Sequence, residues 1–239
     1  MNRLRCLILV LALCLPVATL AAADRAFDFY ASNLLILEAK PAQKAIGVTE
    51  AQRKKMNQFA DADRPKRTAI LQQFQREADA AQKTGRTYQP DESKMRPLDE
   101  ALKRDVMGVL TDAQLKRLRE ITIQSSGIVA LLDTRVAQEA GVPSGTVKKL
   151  RDTFTSGAKQ AEAVTAKVQQ RLYDEYKLKK PKNEAEARKL QEEALGRLRK
   201  ETAPQIKRIQ QQTKAKMEGM LSPAQRTAFK KLQGVPFNP

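Results

Sequence analysis

Three features of this chain could carry chemistry by residue type and spacing. They are the acidic pairs Asp174-Glu175 and Glu192-Glu193, the scattered serines and threonines, and a short phrase that recurs almost unchanged. The acidic pairs are adjacent in sequence, so on a helix their carboxylates leave from different faces and cannot share a reacting atom. A serine or threonine nucleophile needs a neighbouring base. The chain has no histidine, and its two cysteines, Cys6 and Cys14, both lie near the N-terminus. The usual nucleophile–base pairs are absent, as are the imidazole and thiolate ligands of a transition-metal site. The chain is therefore read as a non-enzyme, with no catalytic residue, no cofactor and no metal.

The recurring phrase has a different chemistry. "LTDAQ" at 110–114 and "LSPAQ" at 221–225 nearly match, and "VTEAQ" at 48–52 is a third copy. A Thr or Ser that starts a helix accepts from the backbone N–H three residues on, and a Gln at that position reaches back to the cap's own N–H. The pairs Thr49/Gln52, Thr111/Gln114 and Ser222/Gln225 thus predict three capping boxes, each cap worth ~1 kcal/mol. Leu110 and Leu115 flank the second as a hydrophobic staple. Leu221 precedes the third, and Pro223 there takes the first helical position, where its missing N–H costs nothing. A fourth copy, "VPSGT" at 142–146, has lost the Gln, and its cap is expected at Ser144. Gly108 and Gly219 are expected to end the incoming helices.

These starts and stops must position long helices. Ala, Gln, Lys, Arg, Glu and Leu dominate, and no run of β-branched residues alternates with period two. Leu150, Phe154, Gly157, Ala161, Val164, Val168 and Leu172 fall on one face over 145–178, with small residues in the middle to admit a partner. Leu195, Leu198, Thr202, Ile206, Ile209, Thr213, Met217 and Met220 stripe 184–221. The basic turn "KLKKPKN" (177–183) between them predicts an antiparallel hairpin. Met56, Phe59, Ala62, Ile70, Phe74, Ala78 and Ala81 mark a weaker first hairpin, which returns through Met95, Leu98, Leu102, Val106 and Val109. Pro65 and Pro204 are expected to interrupt or kink their helices. The halves match in order, Gly47 over Gly141 and Lys54-Lys55 over Lys148-Lys149. The reading is all-α, two tandem helical repeats over 24–125 and 126–239, the second with the longer basic hairpin.

The N-terminus reads as a secretory signal peptide over 1–23. Arg3 and Arg5 precede the apolar run "CLILVLALCL" (6–15), too short to span a bilayer, and Ala21-Ala22-Ala23 offers a cleavage site. A periplasmic or secreted protein is expected after cleavage near Ala23, with no transmembrane segment in the mature chain. Both cysteines leave with the signal, so no disulfide can staple the mature fold. Of the chain's 44 Lys and Arg two lie in the leader, which leaves 42 against 27 Asp and Glu, net +15. The excess is uneven: 19 against 15 over 24–125, and 23 against 12 over 126–239. Such a surface attracts anionic partners in a salt-dependent way. Export and the lack of a recognition motif argue against nucleic acid.

The chain resembles the LTxxQ-motif (Spy/CpxP-like) family of periplasmic helical proteins. The matching residues are Val48-Thr49-x-x-Gln52, Leu110-Thr111-x-x-Gln114 and Leu221-Ser222-x-x-Gln225, and the tail "LQGVPF" (232–237) is similar to larger duplicated relatives. The resemblance implies a cradle of long antiparallel helices, formed by a dimer, with a basic and partly apolar concave face. It also implies ATP-independent chaperone or stress-sensing work. One half of this chain matches about one such subunit, so a monomer with dimer-like pseudo-symmetry or a homodimer is expected. The first expectation is binding of unfolded or acidic protein clients, with Lys148, Lys149, Lys200, Lys207, Lys214, Tyr173 and Tyr176 as candidate contacts. Taken singly, those lysines also read as a solvated helix face and those tyrosines as caps on a core. The alternative is a structural or adaptor protein that binds an anionic envelope component or a sensor.

Overall fold

The structure, a computed structural model, describes residues 25–177, 179 and 181–238. The predicted signal peptide lies outside the described residues. Among the described residues the chain is all-α, with no strand. The helices are α1 (25–31), α2 (Lys40–Ile46), α3 (Glu50–Lys83), α4 (Arg96–Met107), α5 (Asp112–Ser126), α6 (Thr134–Glu139), α7 (Ser144–Lys177), α8 (Glu184–Gly219) and α9 (Pro223–Gln233). Two compact units result. The first joins 25–125 with 233–238, and the second is 126–232.

In the first unit a 3-10 turn (Leu34–Glu38) leads into α2, which ends at Gly47 with φ +74°, a left-handed conformation that glycine adopts without cost. α3 then runs for 34 residues and packs on α4. Leu37, Ile46, Met56, Val106, Met107, Leu110, Leu115, Leu118 and Ile121 form one buried cluster, the main stabilising element of this unit. Both members of the predicted staple, Leu110 and Leu115, belong to it. α1 is tied down by an ion pair that is itself buried, Arg119 to Asp28 at 2.9 Å, with the Arg119 guanidinium over the Phe27 ring at 5.6 Å. Lys103 donates to the Tyr30 carbonyl at 3.0 Å beside the Phe29 ring, and burial holds its ammonium below the usual lysine range. Residues 233–238 are strapped to α5. The Gln124 amide donates to the carbonyls of Gln233 and Val235 and accepts from the Phe237 N–H, while Arg117 donates to the Val235 carbonyl.

The second unit repeats this order: a 3-10 turn (Gly127–Leu132), short α6, Gly141 with φ +65°, then α7 of 34 residues. α7 and α8 pack along their length. They are antiparallel: Gly157 meets Thr213, Arg171 meets Glu201 and Glu175 meets Arg197. Leu150, Val168 and Leu172 of α7 and Met217 of α8 are buried. The helices close tightly at Gly157, where an added Cβ would sit 2.3 Å from Thr213 Oγ1.

Several local expectations are corrected. α3 runs unbroken through Pro65, and α8 through Pro204. A proline inside a long helix removes one hydrogen bond, and the turns on either side, already propagated and packed along the hairpin, hold the helix together. Ala62 is exposed and its neighbour Asp63 is buried instead, where Arg67 bridges it to Asp99 of α4. α7 begins at Ser144 itself, so the cap position is Pro143, whose carbonyl accepts from Val147 N–H at 3.0 Å. Gly108 and Gly219 do end their helices as expected, Gly108 as the cap of α4 in a right-handed conformation, φ −63°, and Gly219 as the last residue of α8. The left-handed glycines lie elsewhere, at Gly47, Gly85, Gly127, Gly141 and Gly234.

Candidate functional site

All three predicted capping boxes form. Gln52 N–H donates to Thr49 Oγ1 at 3.2 Å and Thr49 N–H to Gln52 Oε1 at 3.0 Å. Thr111 and Gln114 make the same pair at 3.3 and 3.0 Å, Ser222 and Gln225 at 3.3 and 2.9 Å. The boxes of the first unit also grip each other. Gln52 Nε2 donates to Gln114 Oε1 at 2.7 Å, and Gln114 Nε2 donates back to Gln52 Oε1 at 3.0 Å. The remaining donors are matched in kind. Gln52 reaches the Val109 carbonyl at 2.9 Å, two residues before Thr111, and Gln114 the Gly47 carbonyl at 2.7 Å, two residues before Thr49. Each side-chain amide thus fills two donor and two acceptor positions, all that it has. The spacing Thr-x-x-Gln is needed twice over, once for the local cap and once to point the amides at each other.

The second unit keeps half of this device. Gln225 Nε2 donates to the Gly141 carbonyl at 3.1 Å, the counterpart of Gln114 on Gly47. Thr146 stands where the second amide would have to come from, so the reciprocal pair is lost. Leu221, which precedes this box, is buried as Leu110 is. The motif residues are therefore a clamp that ties the two ends of each hairpin together, and no reacting group points into it.

The candidate client contacts are not gathered in one place. Lys148, Lys149, Lys200, Lys207 and Lys214 are all exposed. Lys148 and Lys149 start α7, while Tyr173 and Tyr176 lie near its other end, about 36 Å away at 1.5 Å per residue. Lys200, Lys207 and Lys214 recur every seventh residue on α8, and Lys214 approaches Glu218 at 3.9 Å. The result is a dispersed cationic face along the hairpin.

At the hairpin tip the tyrosines border a feature the sequence reading did not single out. A groove of about 280 Å³ opens between α7 and α8, lined by Leu172, Tyr173, Tyr176, Ala194, Leu195 and Leu198 among others. Tyr173 is 60% exposed and Leu195 46%. Below it Arg171, Glu175, Arg197 and Glu201 form a four-membered ion-pair network across the two helices. The Arg197 guanidinium holds the Glu175 carboxyl below the usual range. The Tyr176 hydroxyl donates to Glu193 at 2.7 Å, which lowers that carboxyl and raises the phenol. Lys179 sits over the Tyr176 ring at 4.1 Å and 3.8 Å from Glu193. Glu175 and Glu193, one from each acidic pair that opened the sequence argument, are thus engaged in holding the tip. Asp174 accepts from Gln170 on its own helix at 3.2 Å. A signal for the groove was present in the apolar residues at 172, 195 and 198, which belong to the three- and four-residue stripes of the two helices, though nothing in them showed that the surface stays open. Comparison of the chain with protein-family models, with curated proteins and with solved structures returned no match.

Proposed function

We propose that the chain is an exported, ATP-independent client-binding protein of the LTxxQ-motif kind, which captures acidic or unfolded protein segments on the basic surface of its second unit. The observation that carries this reading is the exposed cationic face of the α7–α8 hairpin. Over 126–232 there are 23 Lys and Arg against 12 Asp and Glu, and Lys148, Lys149, Lys200, Lys207 and Lys214 all face solvent. Such a field speeds encounter with anionic chains, and weak apolar contacts then retain them. The dispersal of the lysines supports promiscuous capture over a single stereospecific site. Export to the periplasm is supported by the leader-like N-terminus. Descent from a duplicated helical unit is supported by the matching element order and by the shared glutamine-to-glycine bond.

The test is light scattering from an aggregating model protein without ATP, at low and at moderate salt. Suppression at sub-stoichiometric to equimolar ratios, weakened by salt, is the expected result. No suppression under either condition overturns the reading in favour of a dedicated anionic envelope component or sensor as the partner.

A further inference from the structure

We propose that the groove at the tip of the α7–α8 hairpin is a docking site for a short peptide segment that carries a bulky apolar side chain flanked by carboxylates. This rests on the client-binding reading above and names the place and the class of segment. The two hairpins differ at their tips in a way that exposes this surface. α3 and α7 are each 34 residues long, but their return paths differ. In the first unit the chain comes back as irregular backbone over 84–91 and lies on α3: the Tyr88 hydroxyl donates to Glu77 at 2.8 Å and Lys94 sits over the Phe74 ring. In the second unit α8 starts at Glu184 and runs for 36 residues, so Leu172, Tyr173, Leu195 and Leu198 border an open groove. Of these Tyr173 and Leu195 are exposed, and large side chains exposed at one groove mark a binding surface more often than scattered ones do.

The charges beside the groove select the occupant. Two carboxylates beside it are already engaged: Glu175 with Arg197 and Arg171, Glu193 with Tyr176 and Lys179. Lys177 lines the groove and forms no ion pair among the described residues. The described residues of the turn 177–183 include Lys177, Lys179 and Lys182 and no acid. An incoming carboxylate meets the cations of the turn at the mouth. The apolar lining takes the side chain between them.

The experiment titrates the purified protein into a dye-labelled peptide with a central Leu-Phe pair between glutamates, read by fluorescence anisotropy, beside the scattering assay. Leu195→Ser and Tyr173→Ser change exposed side chains, and helical content by circular dichroism checks that each variant folds. Each is expected to weaken binding about tenfold. Lys177→Glu is expected to weaken it at low salt by a factor that shrinks as salt rises. A peptide with lysines for the glutamates is expected not to bind. Equal binding by the wild type and both serine variants overturns the groove, and if the wild type still suppresses aggregation the client-binding reading survives it. Binding to anionic lipid vesicles but not to the peptide also overturns it. A wild type that neither binds nor suppresses overturns both.

Discussion

Gln114 shows how much one side chain can hold together. Its amide closes a helix cap, meets Gln52 and bonds the Gly47 carbonyl, four hydrogen bonds in all. Gln225 makes the cap and one carbonyl bond. Gln114→Ala is therefore expected to destabilise the first unit by about 2–3 kcal/mol, and Gln225→Ala the second by about 1–2 kcal/mol. Hydrogen exchange resolved by unit checks the difference. Tyr88 gives a pH test. Partial burial, and then the Glu77 carboxylate that it donates to, push its hydroxyl up to about 12. The folded chain favours the neutral phenol, so its contribution is complete below an unfolded value of about 10 and is lost as pH rises toward the folded value. Tyrosinate absorbance should show a late-titrating component that Tyr88→Phe removes. Glu175 works in the opposite sense: lowered by Arg197, it contributes above the ordinary carboxylate range and is lost as pH falls through its folded value. The caps were legible in the sequence because a capping box is complete within four residues. The Gln52–Gln114 pair and the buried Arg119–Asp28 pair were not, because 62 and 91 residues separate the partners and local spacing carries no information about them.

At the scale of elements, apolar periodicity gave the long helices and the small residue at their closest approach. Gly157 is where this can be tested. Gly157→Ala gains about 1 kcal/mol of helix propensity, yet its Cβ would meet the Oγ1, Cγ2 and Cβ of Thr213, all within 3.1 Å. Thr213 is β-branched and close to its own backbone, so it cannot swing clear. The expected result is a net loss of about 1–2 kcal/mol, measured by urea denaturation. Adding Thr213→Ala removes the two nearest atoms and should recover most of it. What periodicity did not convey was the fate of the prolines and the exposure of the tip. Pro65 and Pro204 are both exposed. The local rule that a proline breaks a helix gives way to packing along the hairpin, which no single window of sequence contains. Leu195 fits the apolar stripe as well as Met217 does, but Met217 is buried and Leu195 is 46% exposed.

The whole molecule is less simply tandem than its halves suggest in the sequence. A split at 125/126 separates the units, but 233–238 belongs with the first. Composition could not reveal this, because the strap is made by the Gln124 amide and by Arg117 on backbone atoms of Gln233, Val235 and Phe237. Any sequence of similar size offers the same backbone groups. A chain truncated after Leu232 is expected to lose about 2–3 kcal/mol in the first unit through these bonds and the contacts of Phe237. Protection in the α7–α8 hairpin should stay unchanged, which hydrogen exchange can read directly. The strap also fixes a sequence of events in time. A chain that emerges N-terminus first presents all of the second unit before the segment that completes the first. The later half can therefore mature first, while the earlier half waits for 233–238 to bring the backbone partners of the Gln124 amide.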